Sequence, residues 1–435
     1  MLAVALLAGC SARAPRNEGS TTMPTINTMN EIATSYVKLA LAVGQHDADY
    51  VDAYYGPPEW RQQAEAQKRP LAEIRGDAEA LLAALSRQPE PTGSDAGLLR
   101  LRHDYLSRQI QSMVARIDLL AGKKMTFDEE SKALYDAVAP THTEAHFQGI
   151  LDELGALLPG DGPLIDRLEA FRLKFEIPRD RLSPVFDAAI DECRRRTKEH
   201  IDLPADESFT VEYVTDKPWS AYNWYKGRSH SLIQVNTELP IFIDRAIDLA
   251  CHEGYPGHHV YNALLEQRLV KERGWPEYSV YALFSPQSLI AEGTANFGIE
   301  VAFPGPERVA FEKKVLFPLA GLDPSSAERY YQVQALIQKL SYAGNEAARR
   351  YLDGTIDRAQ AVDWLTRYAL SSRERSEQRV RFFDKYRSYV INYNLGQDLV
   401  KEYVEKKGGT ADHPEKRWQV FTDLISSPRL PSGLR

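Results

Sequence analysis

Cysteine is scarce: the chain has only three in 435 residues, Cys10, Cys193 and Cys251, and none stands in a Cys-x-x-Cys pattern. That excludes a disulfide framework. Basic blocks interleaved with aromatic residues are missing too, and the net charge is -8, which argues against a nucleic-acid partner. No repeat of 20 to 50 residues is evident, so solenoids and propellers are excluded. With 43% hydrophobic residues the chain is not disordered. It is long enough to bury a large core in two or three subdomains, and a mildly acidic globule is the expectation.

The N-terminus departs from that globule. Met1-Leu-Ala-Val-Ala-Leu-Leu-Ala-Gly-Cys10 is apolar but too short to span a bilayer. Its end, Leu7-Ala8-Gly9-Cys10, resembles the lipobox of bacterial lipoproteins, where cleavage leaves the cysteine as the lipid-bearing terminus. No basic residue precedes the run, which departs from that pattern and points to a start placed too late. The resemblance implies a signal-like segment over 1–10, membrane attachment through lipid at Cys10, and residence on the periplasmic side of the bacterial cell envelope. Residues 11–29, rich in Ser, Thr, Pro and Asn, read as a flexible tether.

Helical spacing dominates residues 30–205. Ile32, Tyr36, Leu39 and Leu41 open it, and Tyr50 to Pro57 marks a turn. Leu71 to Leu85 follows, and Ser94-Asp95 is placed to cap a long helix striped by Leu98, Leu101, Tyr105, Leu106, Ile110, Met113, Val114, Ile117 and Leu120. The second half, 206–435, begins with alternation in Phe209–Val214 and Ser231–Asn236, which predicts a small antiparallel sheet. The fold class expected is therefore mainly α, with that sheet beside a metal-binding helix.

Pro240 is placed to open this helix, lined by Phe242, Ile243, Ala246, Ile247 and Ala250. It runs into Cys251-His252-Glu253-Gly254-Tyr255-Pro256-Gly257-His258-His259, which holds three of the ten histidines beside a glutamate. In a His-Glu-x-x-His helix, two histidines four apart bind zinc while the glutamate acts on the attacking water. Here the next histidines lie six and seven positions after His252, about 240° around a straight helix or about 10.5 Å along it. Pro256 removes a backbone donor and Gly257 permits unusual dihedrals, so a break is expected that brings His258 to the metal. His259 is left as a supporting group or alternate ligand.

A third ligand comes from Leu289-Ile-Ala-Glu292-Gly-Thr-Ala-Asn-Phe-Gly-Ile-Glu300. A carboxylate among such apolar neighbours is costly to bury alone, and coordination by Glu292 completes a His-His-Glu set with one open position. Glu300 reads equally well as a group orienting a ligand histidine or as a surface charge.

His252-Glu-Gly-Tyr-Pro-Gly-His-His259, taken with Glu292-Gly-x-Ala, resembles a large bacterial family of unknown function that carries His-Glu-x-x-Pro-Gly-His-His. That family is similar to divergent gluzincin-type zinc metallopeptidases. The resemblance implies a helical clamp with a central cleft, one zinc ion held by His252, His258 and Glu292, and Glu253 as general base acting on a peptide or amide substrate. It also makes Ser231–Asn236 the edge strand that pairs with an extended peptide, although the same pattern fits a plain sheet strand equally well. Oxyanion stabilisation would come from Tyr342, Arg387, Tyr389 or Tyr393, of which Tyr389 and Tyr393 are the chosen candidates. Two other outcomes compete: a non-peptidase amidase, and a catalytically silent metal-bound lipoprotein with a binding role.

Overall fold

A computed structural model describes residues 28–217 and 219–435. The apolar start, Cys10 and the tether up to residue 27 lie outside the described residues. The chain is mainly α, and the described residues form one three-stranded sheet and one two-stranded ribbon. Among the described residues, no helix is long and apolar enough to cross a membrane.

The first helix, Met29–Val43, begins with a capping box in which the Thr28 hydroxyl accepts from the Glu31 N–H and the Glu31 carboxylate accepts from the Thr28 N–H. Such a cap is worth about 1 kcal/mol. The long helix Ala96–Leu120 buries Tyr105, Leu106, Ile110, Met113 and Ile117, each contributing about 2 kcal/mol of apolar burial. Asp95 stands at its N-cap but makes no capping bond; its carboxylate pairs instead with Arg273 at 3.0 Å.

The N-terminal helices and the later half share one hydrophobic core that runs from Ile32 to Leu434. The segment expected to be a turn holds a strand, β1 (Val51–Tyr54), which pairs antiparallel with β5 (Val280–Ala282). Beside that ribbon Arg102 grips Glu277 through two bonds, at 2.6 and 3.0 Å, fully out of solvent. Burial raises the Glu277 carboxyl and Arg102 opposes it, as expected for a buried pair.

The sheet contains β2 (Ser208–Val214), β3 (Ala221–Gly227) and β4 (His230–Asn236), in the order β2-β4-β3. The hairpin β3–β4 is antiparallel, whereas β2 joins β4 in parallel, with Phe209 opposite Ser231. Strand β3 hides in the sequence because Tyr-Asn-Trp-Tyr has no clean alternation. Its tight turn puts Arg228 and Ser229 at φ 54° and 55°, the left-handed pair of a type I′ hairpin. The Glu266 carboxylate accepts from both their N–H groups, at 3.0 and 3.3 Å. Because β4 is central, Ser231–Asn236 cannot be the edge strand that receives a peptide: both of its sides are already hydrogen-bonded.

Candidate metal centre

The helix that leads into His252 starts later than Pro240. Phe242 is held in a bridge with Glu176, the Ile243 N–H donates to the Phe175 carbonyl, and the helix runs from Asp244 to Leu249. It then widens into a π-type turn over Ala250–Gly254, a departure from α geometry that often marks functional sites. The Tyr255–Pro256 peptide is cis, and a new helix, His258–Leu265, follows.

Gly257 makes the reversal sterically feasible. A Cβ there would lie 1.9 Å from the His252 carbonyl oxygen and 2.4 Å from that of Cys251. The Gly257 N–H donates to the Cys251 carbonyl at 2.9 Å, so the chain folds back onto the end of the preceding helix. Cys251 itself faces Cys193 on the Leu182–His200 helix; both are buried, with sulfurs 2.7 Å apart.

This fold-back brings the ring nitrogens together. His252 Nε2 and His258 Nε2 are 3.1 Å apart, and Glu292 Oε2 lies 3.4 Å from the first and 3.8 Å from the second. Two nitrogens on a tetrahedral zinc are separated by about 3.3 Å, given bonds of about 2.0–2.1 Å. His252, His258 and Glu292 offer ligand atoms that all lie within 4.8 Å of one another.

Neighbouring groups aim these atoms. The His252 Nδ1–H donates to Asn296 Oδ1 at 3.0 Å, which leaves Nε2 with its lone pair toward the cluster. Asn296 is held in turn by the Tyr393 carbonyl at 3.1 Å. The Tyr389 hydroxyl donates to Glu292 Oε1 at 2.9 Å, while Glu292 Oε2 is buried without a hydrogen-bond partner. An orphaned carboxylate oxygen facing two imidazole nitrogens fits a divalent transition metal.

Glu292 stands on the Pro286–Ala302 helix, which is buried along most of its length. This helix crosses Ile391–Lys406 at a glycine pair: a Cβ on Gly293 would meet Gly396 backbone at 2.4 Å. Close contact there sets Glu292 against Tyr389 and Tyr393. Burial pushes the Glu292 carboxyl up, but His252 and His258 outweigh it and hold the group well below the usual carboxylate range. Burial lowers His258, and Glu292, Glu253 and Asp52 reverse that to about 9. The site therefore stabilises positive charge.

Glu253, expected as the base, is buried and follows His252 directly; its carbonyl oxygen accepts from Asn223 Nδ2 at 2.6 Å. Its carboxylate makes no hydrogen bond or ion pair among the described residues. Tyr389 is committed to Glu292, whereas the Tyr393 hydroxyl, one ring away at 5.8 Å, has no hydrogen-bond partner among the described residues. Tyr342 donates to Asp398, and Arg387 pairs with Glu130. Glu300 pairs with Lys401 and accepts from Gln397, away from the ligands.

His259 points the other way. Its Nε2 lies 3.1 Å from Glu207 Oε2 and its Nδ1 2.9 Å from the Ser231 hydroxyl, and Glu207 also accepts from Tyr255 and Arg194. Glu207 carries no signal in the sequence, while Asn296 could have been found from its place one turn after Glu292. Asp52 on β1 was also hidden: it accepts from Tyr222 on β3. Burial raises it to about 6, against the Tyr222 bond and His258, with Glu292 and Glu253 adding to the rise. A groove of about 630 Å³ between Gln148, Asp152, Arg167 and Arg367 lies elsewhere and holds none of these groups.

Fold and site together define a mainly α chain whose broken helix assembles a His-His-Glu cluster with a glutamate beside it. No protein-family model and no curated protein matches the sequence. Among solved structures the chain is similar to one described as "the putative lipoprotein from Colwellia psychrerythraea", at 14% identity and a TM-score of 0.50, covering 94% of this chain and 75% of that one. The likeness concerns the fold.

Proposed function

We propose that the protein is a zinc-dependent hydrolase, and more narrowly a metallopeptidase. The observation that carries this reading is the unpartnered Glu253 carboxylate beside a converged His252, His258 and Glu292. A purely structural zinc site closes with four protein ligands, whereas three ligands leave a position for chemistry. A zinc ion there supplies Lewis acidity toward water and a carbonyl oxygen. Glu253 takes the proton from the attacking water and passes it to the leaving amine. Asn296 fixes the His252 ring and Tyr389 fixes Glu292, while the free Tyr393 hydroxyl is the available donor for the developing oxyanion. The family resemblance of the motif supports the same reading, with a peptide or amide held in a cleft between helices.

The test is metal analysis together with peptide hydrolysis by the wild type and Glu253→Gln. Metal retained with activity lost supports the reading; full activity in the variant overturns the base, and a chain that binds no zinc overturns the class. A second reading, a lipid-anchored envelope protein whose metal cluster serves binding, is favoured by the description of its fold neighbour and by Cys10. Palmitate labelling of the chain and its Cys10→Ala variant tests the anchor.

A further inference from the structure

Cys193 and Cys251 meet behind the fold-back that carries His252 and His258. Their sulfurs lie 2.7 Å apart, both residues are fully out of solvent, and neither sulfur has another polar partner among the described residues. A disulfide bond is about 2.05 Å long and demands side chains aimed at one another. Less than about 1 Å of movement separates these two thiols from one. A single bridge is compatible with a chain of three cysteines, and is not the multiple-bridge framework that their spacing excludes.

The pair stands where a covalent tie acts on the metal cluster. Cys251 immediately precedes His252, and its carbonyl accepts from the Gly257 N–H at 2.9 Å, the bond that turns the chain back toward His258. Cys193 belongs to the Leu182–His200 helix. The next residue of that helix, Arg194, donates at 2.7 Å to Glu207, which holds His259 at 3.1 Å. One helix therefore grips the fold-back on both sides, through sulfur ahead of His252 and through an ion pair after His258.

We infer that Cys193 and Cys251 are a redox modification site, a disulfide that staples the turn carrying His252 to the Leu182–His200 helix. The oxidant is a small-molecule disulfide such as glutathione disulfide. One protein thiolate attacks it and releases a glutathione thiolate; the second protein thiolate then attacks the mixed disulfide and releases the other. One protein disulfide and two glutathione thiols result, so the protein gives up two electrons and two protons and the oxidant takes both. Buried thiols are inert, so the exchange accompanies folding or local opening. The bond closes a loop spanning 58 positions, and such a closure acts mainly by restricting the unfolded chain. The effect on zinc rests on the metal centre proposed above; the bond does not.

The experiment equilibrates the full chain, freed of metal, with glutathione and glutathione disulfide in urea just below the unfolding transition, where local opening exposes buried thiols. The product is unfolded in guanidinium with iodoacetamide and its peptides are mapped. Cys193 and Cys251 should escape alkylation and appear in one linked fragment, lighter by two hydrogens than the sum of its parts. The linked chain should melt about 4 °C above the same chain reduced by a phosphine, and Cys193→Ala should melt at one temperature with or without the phosphine. In a chelator competition the linked chain should hold zinc about tenfold tighter than Cys193→Ala. Alkylation of both thiols, or a link to Cys10, overturns the site. A linked chain that melts no higher than the reduced one overturns the staple, and equal zinc affinities overturn its action on the ligands. Mapping and the paired melts use the wild type alone, so they decide the matter even where Cys193→Ala does not fold. A linked chain that binds no zinc would overturn the metal centre and leave the disulfide standing.

Discussion

Two histidine–glutamate clusters lie back to back in this molecule, and adjacent residues feed them. His252 and His258 face Glu292; His259 faces Glu207. In the second cluster every polar atom is answered, by Ser231 on one ring nitrogen and by Glu207, itself held by Tyr255 and Arg194, on the other. Glu292 in the first keeps one oxygen without a donor. The same residue types thus serve two ends. A complete hydrogen-bond set makes structure, and an incomplete set whose lone pairs converge makes a binding site.

Substitutions that fall on one cluster alone can break or sharpen that contrast. The largest effect is expected from Glu253→Gln, with hydrolysis falling about 10²–10⁴-fold while zinc content, read by atomic emission, stays unchanged. Tyr389→Phe frees Glu292 Oε1 and should weaken zinc binding about 10–100-fold in a chelator competition, with little change in melting temperature. Glu207→Ala leaves the buried donors of His259 and Tyr255 unanswered. It should cost about 1–3 kcal/mol of stability for each donor left bare, measured by urea unfolding, with zinc content unaltered.

The smallest effect is in acid. Burial raises Glu207, but His259, Tyr255 and Arg194 outweigh it and hold the carboxyl at about 2. Its folded value is depressed, so its contribution is complete above the unfolded value and is lost as pH falls from about 4.5 toward 2. Burial also lowers His259, against the opposing pull of the Glu207 carboxylate. Urea midpoints should decline over that acid window in the wild type, and more shallowly in Glu207→Ala.

Much of the first cluster was legible in the sequence, because its cues are local. Pro256 and Gly257 announce a helix break, and Glu292 stands out as a carboxylate in an apolar helical run. The assignment of His258 and His259 to opposite sides was not legible, since it depends on Ser231 and Glu207, which only the sheet brings near. The mainly α class followed from spacing, but β3 lacked alternation and β1 looked like a turn. Tyr389 was visible only as a candidate oxyanion donor; its bond to Glu292 follows from the Gly293–Gly396 helix crossing, a tertiary fact.

The central claim is that His252, His258 and Glu292 receive a metal that His259 does not touch. An anomalous-scattering map of the zinc-soaked protein at the zinc edge tests it most directly. The account predicts one peak about 2.0–2.2 Å from Nε2 of His252, Nε2 of His258 and Oε2 of Glu292, with His259 still bonded to Glu207. A peak on His259, or none between the three ligands, would contradict it.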